Sequence, residues 1–126
     1  MRAKLPRIAV LGGLLLLVAN GLVWGGHVYW RSQGMEELWA VRAQIDTLAT
    51  QLDEDDHWVE TRARLMEEYS QHQEFAARLA ARGRRARAYT MLVAAYNERV
   101  SYLYRRFYLA PLPAPEPPVI QHRDSP

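Results

Sequence analysis

Cysteine is absent from the 126 residues, so no disulfide framework is available and any metal site would have to do without thiolates. The absence leaves the compartment open, because an oxidising environment permits disulfides without requiring them. Proline is missing between Pro6 and Pro111, and glycine between Gly34 and Gly83 and again after Gly83. Those two residues are the strongest helix punctuators, so the long stretch between them is open to helix. Alanine, leucine, glutamate and arginine dominate it, all of them good helix formers. Nothing alternates at period two, which argues against strands, and no repeat of fixed period recurs. No convergent acid–base or nucleophile set appears either, so the sequence speaks against an enzyme.

What the chain does have is one long apolar run. Ile8–Trp30 (IAVLGGLLLLVANGLVWGGHVYW) carries no charged residue. At helical rise its 23 residues span about 34 Å, enough for a hydrocarbon core of about 30 Å. Trp24, Tyr29 and Trp30 gather at one end, where aromatic rings favour the bilayer–water interface, and Arg31 closes the run. A cleaved signal peptide is the rival reading. Its apolar region is ordinarily about 7–15 residues and ends in a small-x-small site. The run here is longer, and cleavage near Ala19 or Gly25 would put Leu17 or Val23 at the minus-three position. Retention as a signal anchor is expected. Arg2, Lys4 and Arg7 precede the span while only Arg31 and Arg42 follow nearby, which predicts a cytoplasmic N-terminus. The remainder would then be extracytoplasmic, periplasmic in a bacterial inner membrane.

Within the span, Gly13, Gly21 and Gly25 fall at spacings that allow close helix approach, and Asn20 could bond across such a contact. Glycine is also simply common in membrane helices, so this candidate transmembrane contact competes with a plain anchor.

Charge is divided along the chain despite a net of only +2. From Glu36 to Glu74 there are eleven acids against three arginines, and from Phe75 to Ala110 eight arginines against Glu98. Such halves neutralise each other if the chain folds back or pairs with a second copy. Leu38, Val41, Ile45, Leu48 and Leu52 step by three and four, an a/d seam of about two heptads that makes a candidate helix interface. Intermolecular coiled coil and packing within the chain both fit it. Ser32 is a candidate N-cap for this helix, with Gly34 loosening the join to the span. The four acids Asp53–Asp56 repel one another and predict a break.

A middle helix follows, its apolar line running through Trp58, Leu65, Tyr69, His72, Phe75 and Leu79. His57 and His72 lie near Asp53, Asp56 and Glu68, but the spacing matches no compact metal motif, and no cofactor is expected. Arg78, Arg82, Arg84, Arg85 and Arg87 surround Gly83. This reads first as a helix C-cap and corner, with cations at the negative helix end. It is also a candidate contact for anionic lipid or a cell-envelope polymer. Nucleic acid is not expected, for want of any recognisable module.

The last helix carries a stripe of Tyr89, Leu92, Tyr96, Val100, Leu103 and Phe107, and five of the seven tyrosines lie between Tyr89 and Tyr108. Ala95–Val100 (AYNERV) resembles a YN-x-x-V pattern found in some membrane-anchored bacterial helical proteins, but six residues imply no fold or activity. Pro111, Pro113, Pro115, Pro117 and Pro118 end helicity and predict an extended arm, either exposed or docked on a partner.

The chain is therefore expected to be all-α. A basic tail (1–7) leads into a transmembrane anchor (8–30). An extracytoplasmic helical region (31–109) follows, with helices at about 32–52, 56–82 and 86–108 forming a hairpin or short coiled coil, and a proline-rich tail (110–126) closes it. The hairpin is expected to bend near Gly83, laying Tyr89, Leu92 and Tyr96 on Leu79, Phe75 and Leu65. The same bend would set Arg99, Arg105 and Arg106 beside the acidic stretch. The expected role is a non-catalytic membrane scaffold, assembly factor or accessory subunit. Its partners would be the bilayer and another membrane protein or a second copy, and the alternative role is an anion-sensing module.

Overall fold

In the computed structural model, which describes residues 4–65 and 69–121, the chain is two helices followed by an irregular C-terminal segment. No strand occurs among the described residues. Arg2, Glu68, residues 122–126 and the side chain of Tyr69 lie outside the described residues. Helix α1 is Lys4–Ala63, 60 residues or about 90 Å, and α2 is Tyr69–Leu103, 35 residues or about 52 Å. Among the described residues, α1 is the one helix long and apolar enough to cross a membrane, and none of its apolar window is buried.

The two helices pack side by side in opposite directions. Gly34 meets Leu103, Arg42 meets Tyr96, Asp56 meets Arg82, and Trp58 stacks on Phe75. Between them lies the core: Met35, Leu38, Ile45 and Leu52 from α1 against Tyr89, Val93, Tyr96, Val100 and Leu103 from α2. Val93, Val100 and Leu103 are fully buried, with Ile45 and Tyr96 at 1% exposure. Val41, Leu48 and Leu92 flank this core half-covered. The seam from Leu38 to Leu52 thus lies against α2 of its own chain.

Three expected boundaries are replaced. Ser32 caps nothing, because α1 continues unbroken from the apolar run into the seam. Gly34 does not loosen a join but seats a neighbour: a Cβ there would stand 2.6 Å from Leu103 Cδ2. The break at Asp53–Asp56 is also absent. Arg85 and Arg82 of α2 bond Asp55 and Asp56 respectively, so opposite charges offset the repulsion that would have opened the helix.

The bend is not at Gly83, which sits inside α2. An interior glycine costs only about 1 kcal/mol against alanine, and packing along α2 outweighs it. The chain instead reverses between Ala63 and Tyr69, after a turn in which the Leu65 N–H bonds the Arg62 carbonyl at 3.0 Å. Three expected helices are therefore two. The faces that meet also change, with Tyr89 and Tyr96 covering the Leu38–Leu52 face while Leu65 and Leu79 stay exposed. Arg99 and Arg105 lie over Tyr102 and Arg106 over Tyr108, while Arg78, Arg82 and Arg85 stand beside Asp55 and Asp56 in their place. Reversal at this point gives α2 about the length of α1 from Arg31 onward, so apolar stripe covers apolar stripe from end to end. The last helix stops at Leu103 rather than Tyr108, and Phe107 leaves the stripe at 58% exposure.

Candidate functional site

The segment after Leu103 returns along the helix pair and is tied to it at both ends. Its first leg descends α1 to Asn20. There the Leu109 N–H donates to Asn20 Oδ1 at 2.7 Å and Asn20 Nδ2 donates to the Leu109 carbonyl at 3.2 Å. A carboxamide presents the same donor and acceptor as a peptide group, so one side chain pairs with both polar atoms of one backbone unit. The chain then passes a cis Ala110–Pro111 bond and turns back. Trp24 Nε1 and the Tyr108 hydroxyl donate to the Pro113 carbonyl at 3.2 and 2.7 Å, and Arg106 donates to the Leu112 carbonyl at 3.3 Å.

The returning leg crosses the core seam, with a tight turn at Pro118 where the Val119 N–H bonds the Pro117 carbonyl at 2.8 Å. The Pro118 carbonyl accepts from Arg42 at 3.2 Å and from the Tyr96 hydroxyl at 3.1 Å, and Arg42 also donates to that hydroxyl. Asn97 repeats the Asn20 arrangement, exchanging two 2.8 Å bonds with the N–H and carbonyl of Ile120. Ile120 in turn packs on the core. Proline suits such a strap, since it has no N–H to satisfy and its fixed φ narrows the conformations open to the chain. The arm expected to be exposed or docked on a partner contacts its own helices through these bonds.

Where the first leg passes α1, an aromatic cluster closes over His27, which is 6% exposed. Trp30, Phe107 and Tyr108 lie at centroid distances of 5.8, 5.6 and 5.8 Å from its ring. Trp30 meets Tyr102 edge-on at 5.5 Å. Arg31 lies over Tyr104 at 4.8 Å, Arg99 and Arg105 over Tyr102, and Arg106 over Tyr108. Arginine ringed by tyrosine and tryptophan gives a collar that is apolar inside and cationic outside.

The far end of the pair is ionic. Asp55 is 2% exposed and is held by Arg85, with Arg78 at 3.7 Å. Arg82 bonds Asp56, and that bond holds its guanidinium above its ordinary pKa. Arg78 also lies 4.8 Å over Trp58. Of the five arginines of the candidate anion contact, Arg78, Arg82 and Arg85 are therefore engaged with acids, while Arg84 and Arg87 are exposed.

The candidate transmembrane contact divides as well. Asn20 is taken by Leu109, whereas a Cβ at Gly13, Gly21 or Gly25 would meet nothing within 4 Å. His57 and His72 are exposed on different helices, and among the described residues no three His, Asp or Glu stand as a metal-binding group. Sequence reasoning missed Asn97, Arg42 and Trp24 as strap contacts and His27 as a buried ring. The available signal was Asn97 itself, a poor helix former beside the most deeply set tyrosine of an apolar stripe. No family model matches this chain, and neither a curated protein nor a solved structure similar to it was found.

Proposed function

We propose that the chain is a single-pass membrane scaffold, assembly factor or accessory subunit, with its N-terminus cytoplasmic and its helical hairpin extracytoplasmic, periplasmic in a bacterial inner membrane. One observation carries the reading: α1 runs without interruption from an uncovered apolar window into a packed helix pair. A helix continuous across that junction holds the hairpin at a fixed angle to the anchor. Beyond Arg31 the rod stands about 50 Å tall. The role is non-catalytic, a device for presenting contacts at a set height.

With the Leu38–Leu52 seam covered by α2, contacts to another membrane protein or a second copy fall to surfaces left open. These are the glycine-bearing face of the span and the exposed Trp39 and Met91 on the rod. The alternative, an anion-binding module at Arg78–Arg87, is less well supported, because three of those five side chains already face Asp55 or Asp56. Recovery of partners from gently solubilised membranes tests the scaffold reading. Specific copurifying membrane proteins, reduced by Trp39→Ala, are expected. A reporter fused after Pro126 should act only outside the cytoplasm, and a cytoplasmic C-terminus or a mature chain beginning near Gly26 would overturn the topology.

A further inference from the structure

We infer that Phe107–Leu112 is a second membrane contact, a short loop held in the outer leaflet beside the span. This rests on the reading that the Ile8–Trp30 run crosses a bilayer. Measured from Ile8, about 20 helical residues fill a core of about 30 Å, placing its outer edge near His27. Asn20 is then about 10 Å inside, and Asn20 is where Leu109 is fastened. The loop reaches the depth of an interfacial element rather than the bilayer centre.

Its surface suits lipid. Leu109 is 73% exposed and Phe107, although its ring also meets His27, is 58% exposed, so the loop displays apolar surface outward. Behind the tip stand Arg105 and Arg106 with Tyr102, Trp30 and Tyr104, the residue types that gather at headgroup level. Part of the backbone is already satisfied where it runs deepest. Both polar atoms of Leu109 are bonded to Asn20, Pro111 has no N–H, and the carbonyls of Leu112 and Pro113 are each bonded by side chains. The Asn20–Leu109 pair itself is exposed, so water would compete for it. In hydrocarbon that competition disappears, and an otherwise unpaired carboxamide in the span is satisfied. The one strongly polar residue of the anchor is in this way assigned to the loop instead of a second transmembrane helix.

Because the chain lacks cysteine, single labels report cleanly. Full-length protein carrying Leu109→Cys with a nitroxide is reconstituted in phosphatidylcholine–phosphatidylglycerol vesicles, and collisions with oxygen and with a water-soluble nickel chelate are compared. Leu16→Cys reports the span and Gln51→Cys the rod. The expected result is an oxygen-to-nickel ratio at Leu109 well above that at Gln51 and approaching that at Leu16, falling to the Gln51 value when Asn20→Ala is added. Because Leu109 is exposed, the label displaces no packed side chain. A Leu16 label in lipid with a Leu109 label in water overturns the loop contact and leaves the anchor standing. A water-exposed Leu16 label overturns both.

Discussion

Asn97 and Ile120 exchange two hydrogen bonds of 2.8 Å, so a helix side chain pairs with both backbone polar groups of one residue of the strap. Asn97→Ala removes both, and Asn97→Asp keeps an acceptor for the Ile120 N–H but loses the donor to its carbonyl. At about 0.5–1.5 kcal/mol per bond, amide exchange over Val119–Gln121 should quicken about tenfold or more in Asn97→Ala. Residues of α1 and α2 should keep their protection. Hydrogen–deuterium exchange by mass spectrometry checks this, and unchanged exchange at Ile120 would remove Asn97 as the fastening.

Gly34 is a steric position rather than a conformational one, since Leu103 lies directly on its backbone. Gly34→Ala gains up to about 1 kcal/mol of helix propensity, yet its methyl must displace the Leu103 Cδ atoms at 2.6 and 2.8 Å. Gly34→Leu cannot be accommodated and should lower the melting temperature clearly, the overpacking costing about 1–3 kcal/mol. Combining Gly34→Leu with Leu103→Ala should recover part of the loss. Full additivity of the two changes would mean that they do not touch.

Asp55 is the buried member of the ionic end. Removing one partner from a fully buried pair costs about 3–5 kcal/mol. Here Arg78 and Arg85 keep 44% and 38% of their side chains in water, so Asp55→Asn should cost less, about 1–3 kcal/mol. Asp56 has a 41% exposed side chain, and Asp56→Asn should cost distinctly less than Asp55→Asn. Urea unfolding of the detergent-solubilised chain compares them. Equal losses would mean that burial of Asp55 is not what makes it matter.

Ile45 and Leu48 separate packing within the chain from association between chains. Ile45→Ala should cost about 2–5 kcal/mol because the side chain is 1% exposed, and Leu48→Ala, only half-covered, should cost less. Replacing Ile45 with Asp should unfold the helix pair outright, seen as lost helicity in far-ultraviolet dichroism. A folded variant that fails only to associate would move the seam to an intermolecular interface.

The sequence by itself determined the elements that depend on local chemistry. A helical chain follows from the missing proline and glycine, the apolar span from composition, and the buried faces from the spacing of Leu38–Leu52 and of Tyr89–Leu103. Each of these needs only neighbours within a few turns. Where the chain reverses was decided by tertiary structure. The turn between Ala63 and Tyr69 contains neither glycine nor proline, while the strong punctuation at Gly83 and the acids Asp53–Asp56 were overridden. A local preference of about 1 kcal/mol yields when a different register buries both stripes along their whole length and sets Asp55 between two arginines. The strap belongs to the same class. Its proline run announced the end of helicity, but its position depends on Asn20 and Asn97, separated from their backbone partners by 89 and 23 residues. Hydrogen bonds that close over such distances carry no periodic trace in the sequence, so only the folded chain brings those groups together.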